Sequence, residues 1–261
     1  MNTQETEGPV LNSMARAKAM AGITSTERAY RLLWSGCDRT EGNRYYQDAS
    51  LPDMYDHNFT ELPEGAPPDC IEKELALAKG RPFLKVEAPF PLSHPQGESE
   101  HLGYYVLQHE HIERPRPVDC TILPVTDTLA SALSLFEIEY REDNKDDFPQ
   151  RRAKRETLQY TNPESGIKCF LCFHQGKAIG KCELFLHEGS AKIEELVILD
   201  AFQRQGYGSF LLKFIINHAR TQKVSCIYLV ADEDDTPRQM YLRYGFEKIG
   251  EWYGLLFKPV P

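Results

Sequence analysis

Gln203-Arg204-Gln205-Gly206-Tyr207-Gly208 sets two glycines one residue apart between two apolar runs. The first run, Ile193 to Leu199, has the pattern of a buried strand. The second, Ser209 to Arg220, is long enough for a helix. A strand, a glycine turn and a helix N-terminus together form an anion cradle. Glycines let backbone N–H groups approach a phosphate closely, and the helix dipole adds partial positive charge at the same place. A dinucleotide-binding unit would also put glycines here, but it requires G-x-G-x-x-G and then another parallel strand with an acidic end. The spacing present is different.

The loop has the form Q/R-x-x-G-x-G/A and resembles the acyl-CoA pyrophosphate loop of the GNAT N-acetyltransferase superfamily. Glu195-Leu196-Val197-Ile198-Leu199-Asp200-Ala201-Phe202 is similar to that family's fourth strand, which splays from its neighbour to admit pantetheine. Tyr241-Leu242-Arg243-Tyr244-Gly245-Phe246 resembles the family's Y-x-K-x-G-F ending, with arginine in place of lysine. A helix and a strand, Val224 to Val230, separate the two motifs in the family's order. The resemblance spans roughly residues 118 to 258 and implies an α/β (α+β) fold with a mixed, mainly antiparallel central sheet flanked by helices.

The resemblance also implies a chemistry: transfer of an acetyl group from acetyl-CoA, as co-substrate, to a primary amine by direct attack in a ternary complex. Leu196, Val197 and Ile198 would supply backbone groups to the cofactor, with the Ile198 amide in the oxyanion-hole role. Gln203, Arg204, Gln205, Gly206, Tyr207, Gly208 and Ser209 would hold the pyrophosphate. Tyr241 would be the general acid for the departing thiolate; on the pattern alone it is equally a core tyrosine of an amphipathic helix with Met240 and Tyr244. Asp234 falls where many relatives carry an asparagine that bonds the pantetheine arm, and the change removes a donor and adds a charge. Glu194 and Glu195 are the candidates for the general base, with Glu183 on the preceding strand as a third. Adjacent strand residues point to opposite faces, so at most one of Glu194 and Glu195 is expected to face the acceptor.

Composition sets bounds on the remaining possibilities. The 261 residues are 41% hydrophobic and 26% charged, with a net charge of −9. No Lys/Arg run interleaves with aromatics, so no nucleic-acid partner is expected. An acidic surface suits a cationic amine, and it equally serves solubility. No apolar segment approaches a membrane span, and Met1 to Val10 lacks the basic start and apolar core of a signal peptide, so a cytoplasmic protein is expected. Seven scattered cysteines agree with a reducing compartment. Cys169-Phe170-Leu171-Cys172 lies inside an apolar strand with its thiols on opposite faces, and His109-Glu110-His111 has no second ligand pair, so no metal is expected.

Three stretches divide the chain. Residues 1–23 are expected to be poorly ordered or loosely helical. Residues 24–113 form a smaller accessory α+β region, with helices over Thr26 to Trp34 and Cys70 to Lys79 (Asp69 as N-cap) and strands over Asn43 to Gln47, Pro82 to Glu87 and Leu102 to His109. That order fits either a reduced GNAT-like half without a cradle or an unrelated cap. It is expected to narrow the acceptor side or to build a homodimer contact. Arg114-Pro115-Arg116-Pro117 reads as a linker, and residues 118–261 form the acetyltransferase domain. A non-catalytic acyl-CoA-binding module and a protein-modifying acetyltransferase are the rival readings.

Overall fold

The computed structural model describes residues 13–109, 117, 119–141, 146–234 and 237–260. The strands are β1 (Gly36–Thr40), β2 (Asn43–Gln47), β3 (Phe59–Glu61), β4 (Leu84–Ala88), β5 (Glu98–Leu107), β6 (Cys120–Pro124), β7 (Ile167–His174), β8 (Lys177–His187), β9 (Ser190–Ile198), β10 (Cys226–Asp232) and β11 (Phe246–Phe257). The helices are α1 (Ser13–Trp34), α2 (Cys70–Ala78), α3 (Ala130–Tyr140), α4 (Phe148–Tyr160), α5 (Tyr207–Thr221) and α6 (Pro237–Arg243). All the strands join one sheet in the order β1-β2-β3-β4-β11-β5-β10-β9-β8-β7-β6.

Only two neighbouring pairs in this sheet are parallel, β3 with β4 and β9 with β10. A parallel neighbour requires a crossover, and a helix supplies it each time: α2 between β3 and β4, α5 between β9 and β10. Between these units lies the antiparallel pair β5·β11. Each of its strands also pairs with the other half: β11 with β4, and β5 with β10. The N-terminal stretch is thus woven into the sheet of the C-terminal one, and its β3–α2–β4 order repeats β9–α5–β10. Register carries the repeat across the sheet, since Tyr105 and Phe246 pack with α5 while Val86 and Leu255 pack with α2 on the same face.

The opposite face carries α3, α4 and α1. Helix α1 begins well before the Thr26 expected from its apolar spacing. Its buried residues Ile23, Thr26, Glu27 and Trp34 recur at helical intervals, and Ile23 packs on Tyr104, Val106, Tyr228 and Ile249 at the centre of the sheet. The earlier turns are rich in alanine and methionine, with Met14 exposed and Ala19 and Met20 against the sheet, and Arg16 Nε donates to Ile249 O at 2.9 Å. Asp69 stands at the N-cap of α2 without capping it; its carboxylate instead pairs with Lys73 at 3.1 Å. The Arg114–Arg116 part of the expected linker lies outside the described residues. Among the described residues, no helix is long and apolar enough to cross a membrane.

Arg31 ties α1 to the N-terminal strands. Its guanidinium lies 2.5 Å from Glu61 and 2.7 Å from Glu87, and sits over the rings of Phe59 and Trp252. Removing one partner of such a buried group strands the others in a poorly solvating site. Arg31→Ala is therefore expected to destabilise the fold by about 3–5 kcal/mol, read as a lower urea midpoint of full-length protein; a loss within experimental error would show that α1 is held by its apolar face alone.

Candidate active site

Strands β9 and β10 pair from Ser190↔Cys226 to Ile193↔Leu229 and then part. Strand β10 continues along β5 to Asp232↔Leu102, while β9 follows β8. The parting coincides with a bulge. Glu183 faces Glu194 and Lys181 faces Val197, so two residues of β9, Glu195 and Leu196, stand opposite Cys182 alone. Glu195 has φ 51, a left-handed conformation that costs a non-glycine residue about 1–2 kcal/mol and bends the strand away from its neighbour. Gly180 lets β8 follow the bend: a Cβ there would meet Val197 O at 2.6 Å and Ile198 Cδ1 at 2.4 Å.

Register fixes where the backbone groups point. Leu199 N–H donates to Ile179 O at 2.9 Å, so the next residue back, Ile198, directs its N–H and C=O away from β8 and into the gap. Leu196 does the same two residues earlier. The gap opens into a cavity of about 400 Å³ lined by Leu196, Ile198, Arg204, Gly206, Ser209 and Tyr241, among others. Gly206 closes the far end. It is the N-cap of α5 with φ 90, no side chain caps the helix, and a Cβ on Gly206 would project into open space. The first-turn N–H groups, which have no partner within a helix, thus face the cavity with the positive end of the dipole. This is a fit for a pyrophosphate at one end and an extended amide-bearing arm along β9.

Most of the sequence candidates converge here, and some do not. Gln203 and Gly208 line the cavity, and the Gln203 amide also folds back to donate to Ile198 O at 3.1 Å and Asp200 Oδ1 at 2.7 Å. The Gln205 side chain donates to Ala201 O. Tyr207 turns its hydroxyl to His174 Nδ1 at 2.9 Å, so only its main chain belongs to the cradle. Neither Val197 nor Asp234 is among the lining residues, and Asp234 is exposed in the turn after β10. Helix α6 brings Tyr241 to the wall, and Tyr244 hydroxyl donating to Ser209 O at 3.0 Å fastens α6 to α5. Met240, Gln239 and Arg243 also line it; Arg243 is the arginine of the Y-x-R-x-G-F segment, and Gln239 was singled out by no motif, although the same short helix carries it.

On the other face of β9 the bulge overturns the expected alternation: Glu194 and Glu195 both turn toward the α1, α3 and α4 side. Glu195 pairs with Arg152 at 3.0 Å and Lys181 at 3.4 Å, and Glu194 with Lys192 at 2.9 Å. Lys181 is wholly buried and also meets Glu137 at 2.6 Å and Glu156 at 3.3 Å. The carboxylates differ accordingly. Burial opposes the charge of Glu195, but Arg152 and Lys181 outweigh it and hold the group down at about 2. Burial pushes Glu194 up, against the pull of Lys192 and with Glu27 adding to the rise. Burial likewise lifts Glu183 to about 7, opposed by Lys181 and reinforced by Glu156 and Glu195. Glu183 is sealed under Tyr30 and Tyr160, whose hydroxyls donate to it at 2.8 and 2.5 Å. The lysines and arginine of this cluster were missed in sequence; the signal available was charge at alternate positions, Lys181-x-Glu183 and Lys192-x-Glu194, inside otherwise apolar strands.

Comparison with known proteins agrees with this geometry. Residues 130–246 match the model of the acetyltransferase (GNAT) family. The chain is 28% identical over 247 residues to the uncharacterized N-acetyltransferase CgeE of Bacillus subtilis (strain 168), covering 86% of this chain and 93% of that one. Its fold is similar to a functionally unknown conserved protein of Staphylococcus epidermidis ATCC 12228, with TM-score 0.67, 18% identity and coverage of 86% and 94% of the two chains. A GCN5-related N-acetyltransferase of Kribbella flavida superposes with TM-score 0.60 and 13% identity, over 90% and 94%. The family match thus lies on residues 130–246, and the curated relative of similar length is named an N-acetyltransferase.

The raised Glu183 has a consequence for stability. Between the ordinary glutamate value of 4.5 and about 7, the unfolded chain releases a proton that the folded protein keeps, so this group lowers stability as pH rises through that window. Glu183→Gln retains an acceptor for the two tyrosines and removes the titration. Its unfolding free energy from urea titration is expected to fall less than the wild type's between pH about 5 and about 8, by on the order of 3 kcal/mol; parallel curves would place the Glu183 titration at an ordinary value.

Proposed function

We propose that the protein transfers an acetyl group from acetyl-CoA to a small primary amine by direct attack in a ternary complex. The observation that carries this reading is the convergence of three features on one cavity: the stretch of β9 at Leu196 and Ile198 that has no β10 partner, the uncapped N-terminus of α5 at Gly206, and Tyr241 of α6. The α5 N–H groups and the Gly206 turn bind the pyrophosphate. The Ile198 N–H stabilises the oxyanion as the C–N bond forms. Tyr241 donates its phenolic proton to the thiolate as the C–S bond breaks and recovers it from solvent.

Glu194 takes the proton of the attacking ammonium. A carboxylate held at about 2, as Glu195 is, is a weak base at neutral pH, and Glu183 is closed off by two tyrosines. Glu194 combines partial exposure with a raised proton affinity. The acceptor is a small cationic amine: α1 lies across β8, β9 and β11 and narrows the side on which a protein substrate would need an open groove, and the carboxylates there attract positive charge.

Two variants test the reading with acetyl-CoA titration calorimetry and thiol release over a panel of primary amines. Tyr241→Phe is expected to lower turnover by roughly a hundredfold or more while acetyl-CoA affinity stays within about twofold; unchanged turnover removes its acid role. Gly206→Glu, which aims a carboxylate into the cradle from a residue with φ 90, is expected to abolish acetyl-CoA binding in a folded protein; retained affinity places the cradle elsewhere. Wild-type protein that binds acetyl-CoA but releases no thiol with any amine would be an acyl-CoA-binding module.

A further inference from the structure

The N-terminal helix touches the proton-transfer site through one ammonium. Lys192 Nζ lies 3.0 Å from Glu27 Oε2 on α1 and 2.9 Å from Glu194 Oε2 on β9, and sits 4.2 Å above the ring of Tyr30. Tyr228 of β10 donates its hydroxyl to the other oxygen of Glu27 at 2.9 Å, which fixes that carboxylate in place. Lys192 and Glu27 are both buried. We propose that Glu27 is a positioning residue for the reaction: by holding Lys192 on its own carboxylate, it leaves Glu194 only partly neutralised and able to take a proton from the acceptor. The proposal rests on the assignment of Glu194 as the base.

The reason is charge balance. A single buried Lys–Glu pair holds the carboxylate ionised and makes it a poor proton acceptor. One ammonium shared by two carboxylates cannot do that for both, and the surplus negative charge favours a proton on the one with less donor support: Glu27 also accepts the Tyr228 hydroxyl, which stabilises its ionised form. Glu194 has 28% of its side chain exposed against 9% for Glu27, and it borders the splayed strand. Other charged groups around it are accounted for. Glu195, adjacent on β9, is already matched by Arg152 of α4 and Lys181 of β8. Glu183, directly opposite on β8, is bonded by Tyr30 and by Tyr160 of α4. Tyr228 spends its hydroxyl on Glu27. Lys192 is thus the one cation paired with Glu194 among the described residues, and Glu27 is its competitor.

The test is an NMR titration of full-length protein with isotopically labelled glutamate carboxyls, the Glu194 signal assigned by its loss in Glu194→Gln. In the wild type the Glu194 midpoint is expected above the ordinary glutamate range. In Glu27→Gln, Lys192 is left to Glu194 alone, and the midpoint is expected to fall by about one unit or more. Glu27→Asp keeps the charge but withdraws it from Lys192 by one methylene; it gives a smaller fall in the same direction and serves where Glu27→Gln does not fold. A merely structural Glu27 would lower the urea midpoint and leave the Glu194 titration unmoved, which overturns the proposal. An ordinary Glu194 midpoint in the wild type defeats the base assignment itself, so the two failures are distinguishable.

Discussion

Everything at the site follows from the point at which β9 and β10 stop pairing. Two parallel strands that stayed together beyond Ile193↔Leu229 would satisfy each other's backbone groups and leave no cavity. The bulge at Glu195 and Leu196 turns β9 toward β8, and the continued pairing of β10 with β5 holds the other edge in place. The backbone of Leu196 and Ile198 then faces a narrow gap, where the Gln203 amide donates to Ile198 O and an extended, amide-bearing molecule can bond the remaining groups. The bulge costs a left-handed residue, and the ion pairs of Glu195 to Arg152 and Lys181 offset that cost by gripping the one side chain the bulge displaces.

Those ion pairs also divide labour among the carboxylates. Glutamates on neighbouring strands, facing one side of the sheet, would repel one another if left to themselves. Arg152 and Lys181 are buried between α3, α4 and β8 and carry most of the compensation for Glu137, Glu156 and Glu195. For Glu183 the pull of Lys181 is outweighed by burial, with Glu156 and Glu195 adding to the rise, and the group is lifted to about 7. Glu194 depends on Lys192, and Lys192 is shared with α1. Burial raises Glu183, Glu194 and Glu195 alike, and the cations beside each decide how far it is pulled back down.

The repeat of strand, helix and parallel strand in both halves explains how a helix from the start of the chain arrives at chemistry near its end. Exchange of β5 and β11 across the centre of the sheet makes the two halves one body. Helix α1 covers that centre, with Ile23 over Tyr104 and Tyr228 and with Arg31 anchored in the N-terminal half. The N-terminal β3–α2–β4 unit has no counterpart of the Gly206 loop: Gly65, the glycine before α2, lies among prolines, and its surroundings are open.

By itself the sequence determined the local parts. The apolar run before Gln203, the two glycines and the apolar helix behind them are short-range signals, and the strand, the turn at Gly206 with its φ of 90 and the helix lie where those signals put them. The Y-x-R-x-G-F segment placed Tyr241 on its helix in the same way, and the strand Asn43–Gln47 and the helix that starts at Cys70 were legible from local pattern. Tertiary structure decided the rest. Alternation predicts that Glu194 and Glu195 face apart, and only the pairing of β9 with β8 reveals the inserted residue that brings them together. The first hundred residues read as a separate region, because strand order in a sheet depends on contacts between residues far apart in the chain and leaves no local mark. The meeting of Glu27 and Lys192, 165 positions apart, likewise leaves no local mark in the sequence.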